Sequence, residues 1–311
     1  MQNSCQVSTA ELDQPGPSSC AAYRHDHGRL ASLSPDGFVR IYTPDTSEQQ
    51  WDLLCQRQLQ PGRSIQASWA HAQYGALLAA VMDPGEIVIL EEVSVARQTE
   101  LQEMARIVHE GCCAVSFGPR EDGLQLASAC SSGHIRIHQA EAGKAGTQWV
   151  LQHDFCAGTF SRCTALCWRD HSVGLPPMLL LGTEHGAQVF CYDGQHRCWH
   201  SAAQFGEGTL TDMSWTTPAA GHAPEYVAIT AGRTASVWKL EGSADKLQAS
   251  KAGDLEHGAN ICQIEWNASG TWLAVATDDG RLSLWRQNLL GSWKLVSTTE
   301  AVIPGSCIMV D

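Results

Sequence analysis

The sequence predicts an all-β protein built from six copies of one four-stranded unit. One series of strand-ending positions recurs at intervals of 48, 48, 52, 48 and 47 residues: Tyr42, Leu90, His138, Phe190, Trp238 and Trp285. A second series runs in step at intervals of 48, 51, 47 and 51 residues: Trp69, Phe117, Trp168, Trp215 and Trp266. Two series that share a period of about 48 residues are typical of β-propeller blades.

Each strand is predicted from period-two alternation and from the turn residues that bound it. Helical periodicity is absent wherever it is tested. The strands of blades one to three are predicted near 20–23 and at 29–33, 38–42, 51–58, 64–70, 77–81, 87–90, 101–107, 114–117, 124–130, 135–138 and 148–155. Those of blades four to six are predicted at 163–168, 178–184, 187–192, 198–205, 210–215, 225–231, 234–240, within 246–255, and at 261–266, 272–277, 281–285 and 292–297.

The ends of the chain lie outside the repeat. We predict a flexible N-terminal tail over residues 1–17, which is polar and ends in Pro-Gly-Pro, a propeller over 18–300 and a C-terminal tail over 301–311. The longest loops are expected between strands on the blade rims. They are placed near 43–50, 92–100, 140–147, 216–224 and 241–250.

The order of the strands bears on how the ring closes. Blade one begins with its innermost strand and blade six ends with its outermost strand, so no predicted strand is left to join the two termini. Such a ring exposes apolar faces on blades one and six, which favours a partner that adds β-structure between them. A plain ring of six blades, closed by face packing alone, is the alternative, and the sequence weighs the two equally.

Composition excludes several functional classes. Apolar residues make up 43% of the chain, enough for a continuous core between blades. The formal net charge of −13 argues against nucleic acid or an anionic membrane as the main partner, because both require a basic face. No apolar run is long enough for a transmembrane helix, so no membrane insertion is expected. The absence of a signal-like start and of Cys-x-x-Cys pairs predicts free thiols in a reducing compartment.

The residues predict no catalytic, cofactor-binding or metal site. The turns that contain Asp36 and Asp279 are read as structural, because Asp caps tight turns and Gly allows positive φ. A zinc site can be drawn from a His and three Cys, but its spacing matches no familiar pattern, so buried thiols are preferred. The four residues are His153, Cys156, Cys163 and Cys167. Cys130 with His134 is an equally weak candidate for a catalytic dyad.

Three stretches carry a resemblance to a known family. They are ASWAHAQYGALLAA at 67–80, QWVLQHDF at 148–155 and EWNASGTWLAVATDDGRLSLWR at 265–286. Together they resemble the WD-repeat nucleoporins of the SEH-one type, close relatives of the SEC-thirteen coat protein, over roughly residues 20–300. The segment at 148–155 favours the SEH-one branch. The chain departs from the WD pattern at Leu90 and His138, where an aromatic residue often ends the third strand.

The resemblance implies a non-enzymatic scaffold with an open six-bladed WD40 propeller. It implies an α-solenoid nucleoporin of the Y-shaped nuclear pore subcomplex as the partner that donates a blade, and a role that supports nucleocytoplasmic transport of protein and mRNA. The implied location is the nuclear envelope. A second implied setting is a coat-like nutrient-signalling complex in the cytoplasm, at the lysosome or vacuole surface.

The candidate partner-binding residues lie in the strands of blades one and six. On blade one they are Leu30, Leu33, Phe38 and Ile41, and on blade six Leu273, Val275, Leu282 and Leu284. Because the strands alternate, the sequence does not say which members face the partner.

Two rival functions use the same fold. One is a subunit of a COPII-type vesicle coat, as in the SEC-thirteen branch. The other is a substrate receptor of a ubiquitin ligase, which typically carries Trp-Asp-x-Arg after the third strand of a blade. Lys239 follows Trp238 and Arg286 follows Trp285, so that motif is missing.

Overall fold

The computed structural model shows the chain as β-strands almost throughout. It describes residues 7–9, 20–24, 28–34, 36–44, 51–59, 64–96, 98–143, 146–158, 162–170, 176–216, 225–243, 246–267, 269–288, 291–300 and 308–310. These residues form six four-stranded antiparallel blades and one two-stranded sheet. The prediction of an all-β, six-bladed propeller is confirmed as a fold class, whereas its completion by a partner stays a prediction.

The strands are numbered along the chain, and neighbours in sequence are neighbours in each blade. Strand β1 (Val7–Thr9) comes first. Blade one contains β2 (Cys20–Arg24), β3 (Arg29–Leu33), β4 (Phe38–Pro44) and β5 (Trp51–Gln58). Blade two contains β6 (Ser64–Trp69), β7 (Leu77–Met82), β8 (Glu86–Val95) and β9 (Gln98–Val108). Blade three contains β10 (Cys112–Phe117), β11 (Gln125–Cys130), β12 (His134–Gly143) and β13 (Gly146–Cys156).

The remaining strands follow the same order. Blade four contains β14 (Cys163–Trp168), β15 (Met178–Thr183), β16 (Gly186–Asp193) and β17 (Cys198–Phe205). Blade five contains β18 (Asp212–Trp215), β19 (Glu225–Ala231), β20 (Thr234–Glu241) and β21 (Gln248–Glu256). Blade six contains β22 (Ile261–Trp266), β23 (Trp272–Thr277), β24 (Arg281–Gln287) and β25 (Trp293–Glu300), and β26 (Ile308–Val310) ends the series.

Two of the predicted rim loops are strands. Strands β8 and β9 pair as far as Val95 and Gln98, where a loop was predicted near 92–100. Strands β12 and β13 pair as far as Gly143 and Gly146, where a loop was predicted near 140–147. The residues at these hairpin ends are half-buried or exposed, so no buried apolar face marks them as strands in the sequence. The predicted loops at 43–50 and 216–224 lie largely outside the described residues.

The chain ends contain two short strands that the sequence did not predict. Strand β1 pairs antiparallel with β26, with Ser8 opposite Met309. Both strands belong to the compact unit that also holds blades four to six. These strands could not be predicted, because three residues are too few for a periodic pattern and the two partners are about 300 positions apart in the sequence. The domain boundaries at 17 and 301 remain predictions.

The two periodic series form one row across each blade. In blade six, Trp266 of β22 pairs with Leu273 of β23, which pairs with Trp285 of β24. The register gives the same row in the other blades. These rows are Tyr23–Leu30–Tyr42, Trp69–Leu78–Leu90, Phe117–Leu126–His138, Trp168–Leu179–Phe190 and Trp215–Val227–Trp238. The common period therefore follows from a single cross-strand row in each repeat.

A β-bulge accompanies this row in every blade. In blade three, Ile137 pairs with His153 and His138 pairs with Leu151, so that Gln152 of the outer strand is the extra residue. The other five blades shift register at the matching point. The extra residues there are Leu54, Met104, Ala202, Ala252 and Val296. Each bulge bends the outer strand and increases its twist.

Neighbouring blades pack through apolar faces inside each of the two compact units. In the unit of residues 10–160, Leu33 and Ile41 of blade one share a cluster with Leu78 and Leu90 of blade two. In the unit that holds 161–304, Leu273 of blade six packs in a cluster with Val237 of blade five. The cross-blade row thus faces the preceding blade, and the alternate residues face the following one.

A buried ion pair links blades four and five. The Arg169 guanidinium, with 4% of its side chain exposed, donates two hydrogen bonds to the Glu225 carboxylate, one of them over 2.9 Å. The Trp215 indole N–H donates to the same carboxylate over 3.1 Å. Three hydrogen bonds from two side chains thus converge on one half-buried carboxylate, which compensates for its removal from water.

Replacing Arg169 with Met should lower the free energy of unfolding by about 3 kcal/mol, because the Glu225 carboxylate keeps its buried charge and loses its cation. Denaturant unfolding would measure the loss. The matched control is Arg120→Met, since Arg120 pairs with Glu121 with 56% of its side chain exposed. A much smaller loss is expected there, because solvent screens an exposed ion pair. Equal losses in both variants would contradict the assignment.

Candidate partner-binding faces

Blades one and six each have one face turned away from their neighbour within the unit. The outer face of blade one is the face turned away from blade two, and the outer face of blade six is the one turned away from blade five. The register assigns Leu30, Ser32, Phe38, Arg40 and Tyr42 to the outer face of blade one. It assigns Trp272, Ala274, Ala276, Leu282 and Leu284 to the outer face of blade six.

Four of the eight predicted contact residues do not lie on these outer faces. Leu33 and Ile41 pack against blade two. Leu273 and Val275 pack against blade five. The alternation of side chains along a strand does not show which face is turned toward the neighbouring blade. All four residues are therefore part of contacts between blades and do not face a partner.

The other four predicted residues lie on the outer faces. Leu30 is fully buried and Phe38 half-buried on blade one. Leu282 and Leu284 are buried on blade six and pack with Ala274. Their role in binding a partner stays a prediction.

The outer face of blade one also has a polar group that the sequence reading missed. The Arg40 guanidinium is buried and donates to Ser34 Oγ over 2.6 Å and to Asp36 Oδ2 over 2.9 Å. It lies 4.8 Å from the centre of the Phe38 ring. The hydrogen bond from Arg40 lowers the pKa of Asp36. Strict alternation along 38–42 was the available signal, since it places Arg40 beside Phe38.

Inner strands of neighbouring blades are joined by a repeated hydrogen-bond pair, here called the inner-strand clamp. Between blades two and three, Gln66 Oε1 accepts from the Val115 N–H over 2.8 Å, and Ser68 Oγ accepts from the Phe117 N–H over 3.1 Å. The acceptors lie three residues and one residue before the row residue Trp69.

The clamp recurs between blades five and six. Asp212 Oδ2 accepts from the Ile264 N–H over 2.8 Å, and Ser214 Oγ accepts from the Trp266 N–H over 3.3 Å. Asp212 and Ser214 again lie three residues and one residue before the row residue, Trp215. Side chains on one blade thus fix the register of the next blade's inner strand. Buried carboxylates are costly, and burial, followed by the nearby Glu265, raises the pKa of Asp212 to about 7.

A buried histidine in blade three has a strongly shifted titration. The His109 ring is 2% exposed, and its Nδ1 lies 2.8 Å from Ser128 Oγ. Burial, and then the charge of Arg136, lowers the pKa of His109 to about 4. His138, in the cross-blade row, is also buried with a lowered pKa. These rings are therefore neutral parts of the core near neutral pH.

The described residues contain no cluster of three or more His, Cys, Asp or Glu side chains arranged to hold a metal ion. Burial raises the pKa of the Cys112 and Cys167 thiols to about 12, as expected for inert core cysteines. Cys130 contacts Ser132 over 3.0 Å, whereas His134 contacts Asp154. Within the part of the chain that the structure describes, no helix is long and apolar enough to cross a bilayer.

Comparison with known proteins supports the resemblance seen in the sequence. The family model "WD domain, G-beta repeat" matches residues 251–286, which contain Trp266 and Trp285. "Nucleoporin SEH1" of Homo sapiens is 25% identical, over 86% of this chain and 81% of that protein. "Nucleoporin SEH1-A" of Xenopus laevis is 24% identical over 88% and 83% of the two chains, and "Protein SEH1" of Arabidopsis thaliana is 25% identical over 95% and 98%.

The chain is therefore similar to SEH1-type WD-repeat proteins. The family-model match overlaps the stretch at 265–286 that carries the resemblance in the sequence. In the structure this stretch runs from β22 to β24, so it contains the complete cross-blade row of blade six. The similarity to the relatives extends over all six blades of the chain.

Acid should destabilise the protein through His109. Its folded pKa of about 4 lies below the ordinary value of 6.5, so the unfolded chain gains a proton first as the pH falls. Stability should therefore fall between pH 6.5 and pH 4, by about 3 kcal/mol for this group. Urea unfolding of wild type and His109→Gln at pH 7 and pH 4.5 would measure it. The exposed control His196→Gln should not reduce the loss of stability at acid pH, because the hydrogen bond with Asp193 raises the pKa of His196.

Asp212 should lower the stability of the protein as the pH rises, in contrast to His109, which lowers it as the pH falls. Its folded pKa of about 7 exceeds the ordinary value of 3.8, so its contribution is complete below pH 3.8 and is lost as the pH rises through 7. Asp212→Asn keeps an acceptor for the Ile264 N–H without the charge. The variant should gain stability relative to wild type at pH 8 compared with pH 5, as measured by thermal unfolding. The control Asp36→Asn should show no such gain, because Arg40 lowers the pKa of Asp36, so this carboxyl is ionised in both the folded and the unfolded chain from pH 5 to pH 8.

Proposed function

We propose that the protein is a non-enzymatic scaffold subunit of the nucleoporin SEH1 type, located at the nuclear pore. The observation that carries this proposal is similarity to nucleoporins named SEH1 over 80% or more of their length. The buried and paired state of the titratable groups described above agrees with a structural role. Such a scaffold would support nucleocytoplasmic transport.

The finer proposal concerns the partner. We expect an α-solenoid nucleoporin of the Y-shaped complex to add β-strands beside the outer faces of blades one and six. Support comes from the apolar composition of these faces, where Leu30, Leu282 and Leu284 point away from the neighbouring blade. A sheet face of this kind requires a cover, and added β-structure supplies both apolar contacts and backbone hydrogen bonds.

A tagged pull-down from native extract, with mass spectrometry of stoichiometric partners, tests the proposal. Recovery of Y-complex nucleoporins supports it. Recovery of vesicle-coat subunits or of a cullin adaptor instead would replace it by one of the rival functions. Recovery of coat-like nutrient-signalling subunits would place the same scaffold in a second assembly.

Two matched variants locate the binding face. Ala276 lies half-buried at the edge of the outer face of blade six, so Ala276→Arg should reduce partner recovery at least tenfold by adding a charge to the buried contact. The control is Leu295→Arg, because Leu295 is 51% exposed on the outer strand β25. Both variants should keep the wild-type melting temperature within a few degrees. Equal recovery with the two variants would remove blade six from the interface.

A further inference from the structure

The two terminal strands, β1 and β26, lie beside the inner strands of blade six. Strands β1 and β26 form a two-stranded antiparallel sheet, with Val7 opposite Val310 and Thr9 opposite Ile308. Strand β26 contacts β22 and β23, the two innermost strands of blade six. The opposite side of β22 and β23 is occupied by blade five, with Leu273 and Val275 in the shared cluster.

The outer face of blade six is buried, although blade five lies on its opposite face. Ala274 is 0%, Leu282 4% and Leu284 9% exposed. The equivalent of Ala274 in blade two is Ala79, one residue after the row residue Leu78. Ala79 is 0% exposed because blade three covers it. Burial to the same degree on blade six requires a cover, and β26 contacts two strands of this blade, β22 and β23.

We infer that the β1–β26 sheet of this chain is a resident cover of the outer face of blade six. A few strands added over an apolar sheet face are a usual way to protect it from solvent. Because one strand comes from each end of the chain, the cover forms only after both termini are present.

The inner strand of blade six has polar side chains at both positions of the inner-strand clamp. Gln263 and Glu265 lie three residues and one residue before the row residue Trp266. The same two positions supply the acceptors of the inner-strand clamp in blade two and in blade five. The second side chain differs, since Glu265 stands where those blades have a serine.

If the proposed partner binds at blade six, the terminal strands lie in its way; this point rests on the proposed function. A partner that adds strands at this face must displace the β1–β26 sheet, so the chain's own termini compete with the partner. The cover itself does not depend on the partner, and the two statements are tested separately.

Thiol labelling of the full chain tests the cover. Ala274→Cys should react slowly with a maleimide probe, and adding Met309→Pro should raise its rate at least tenfold, because proline cannot donate a backbone hydrogen bond and breaks strand pairing. The matched control is Ala79→Cys, whose rate should not change with Met309→Pro. Peptide mass spectrometry separates both sites from the native cysteines. Fast labelling of Ala274→Cys without Met309→Pro, or a rate that Met309→Pro leaves unchanged, would overturn the inference.

A cross-link covers the case in which Met309→Pro loosens the whole protein and both sites react faster. Ser8→Cys with Met309→Cys places two thiols directly opposite each other, and oxidised glutathione should join them. The control pair Ser8→Cys with Val310→Cys is out of register and should join poorly. The joined chain should label more slowly at Ala274→Cys than the reduced chain. An equal rate, or equal joining of the two pairs, would overturn the inference.

The cross-linked chain also separates the cover from the competition. If the joined chain captures less partner than the reduced chain, the terminal strands compete with the partner. If both capture it equally, the competition is wrong. If neither captures a Y-complex nucleoporin while the labelling results hold, the proposed function fails and the cover stands.

Discussion

Each blade is a sheet with two apolar faces, and this constraint shapes the rest of the molecule. A sheet that is apolar on both sides is stable in water only when each side is covered. Inside each unit the neighbouring blade supplies the cover, as where Leu78 and Leu90 pack on Leu33 and Ile41. The inner-strand clamp then fixes the register of one blade against the next. The outer faces of blades one and six have no neighbouring blade within their own unit to cover them.

The repeat was predictable from the sequence because a single physical element recurs in it. The row from Trp266 through Leu273 to Trp285 combines large side chains with a fixed place beside a bulge, so its spacing is visible without a structure. Strand ends were less predictable. Residues 92–95 and 140–143 are half-buried or exposed, and they remain extended because they pair with the opposite strand, which is a non-local effect.

The sequence predicted which strands contain the candidate site, but not which side of each strand faces outward. Leu30 and Leu33 belong to one five-residue strand, yet only Leu33 contacts blade two. The direction of each face depends on where the neighbouring blade lies, which local sequence does not encode. The contact of His109 with Ser128 was hidden for a similar reason, because the two residues lie 19 positions apart and meet only in the folded blade.

The bulge in every outer strand affects how readily the protein aggregates at high concentration. Strands such as β9 and β13 are eleven residues long and have a free edge in their blades, the shape that most readily zips onto another chain. The extra residue, such as Gln152 in β13, increases the twist of each edge strand and interrupts its regular pattern of backbone hydrogen bonds. A protein with six such edges can thus be crowded among many copies of itself without growing into fibrils.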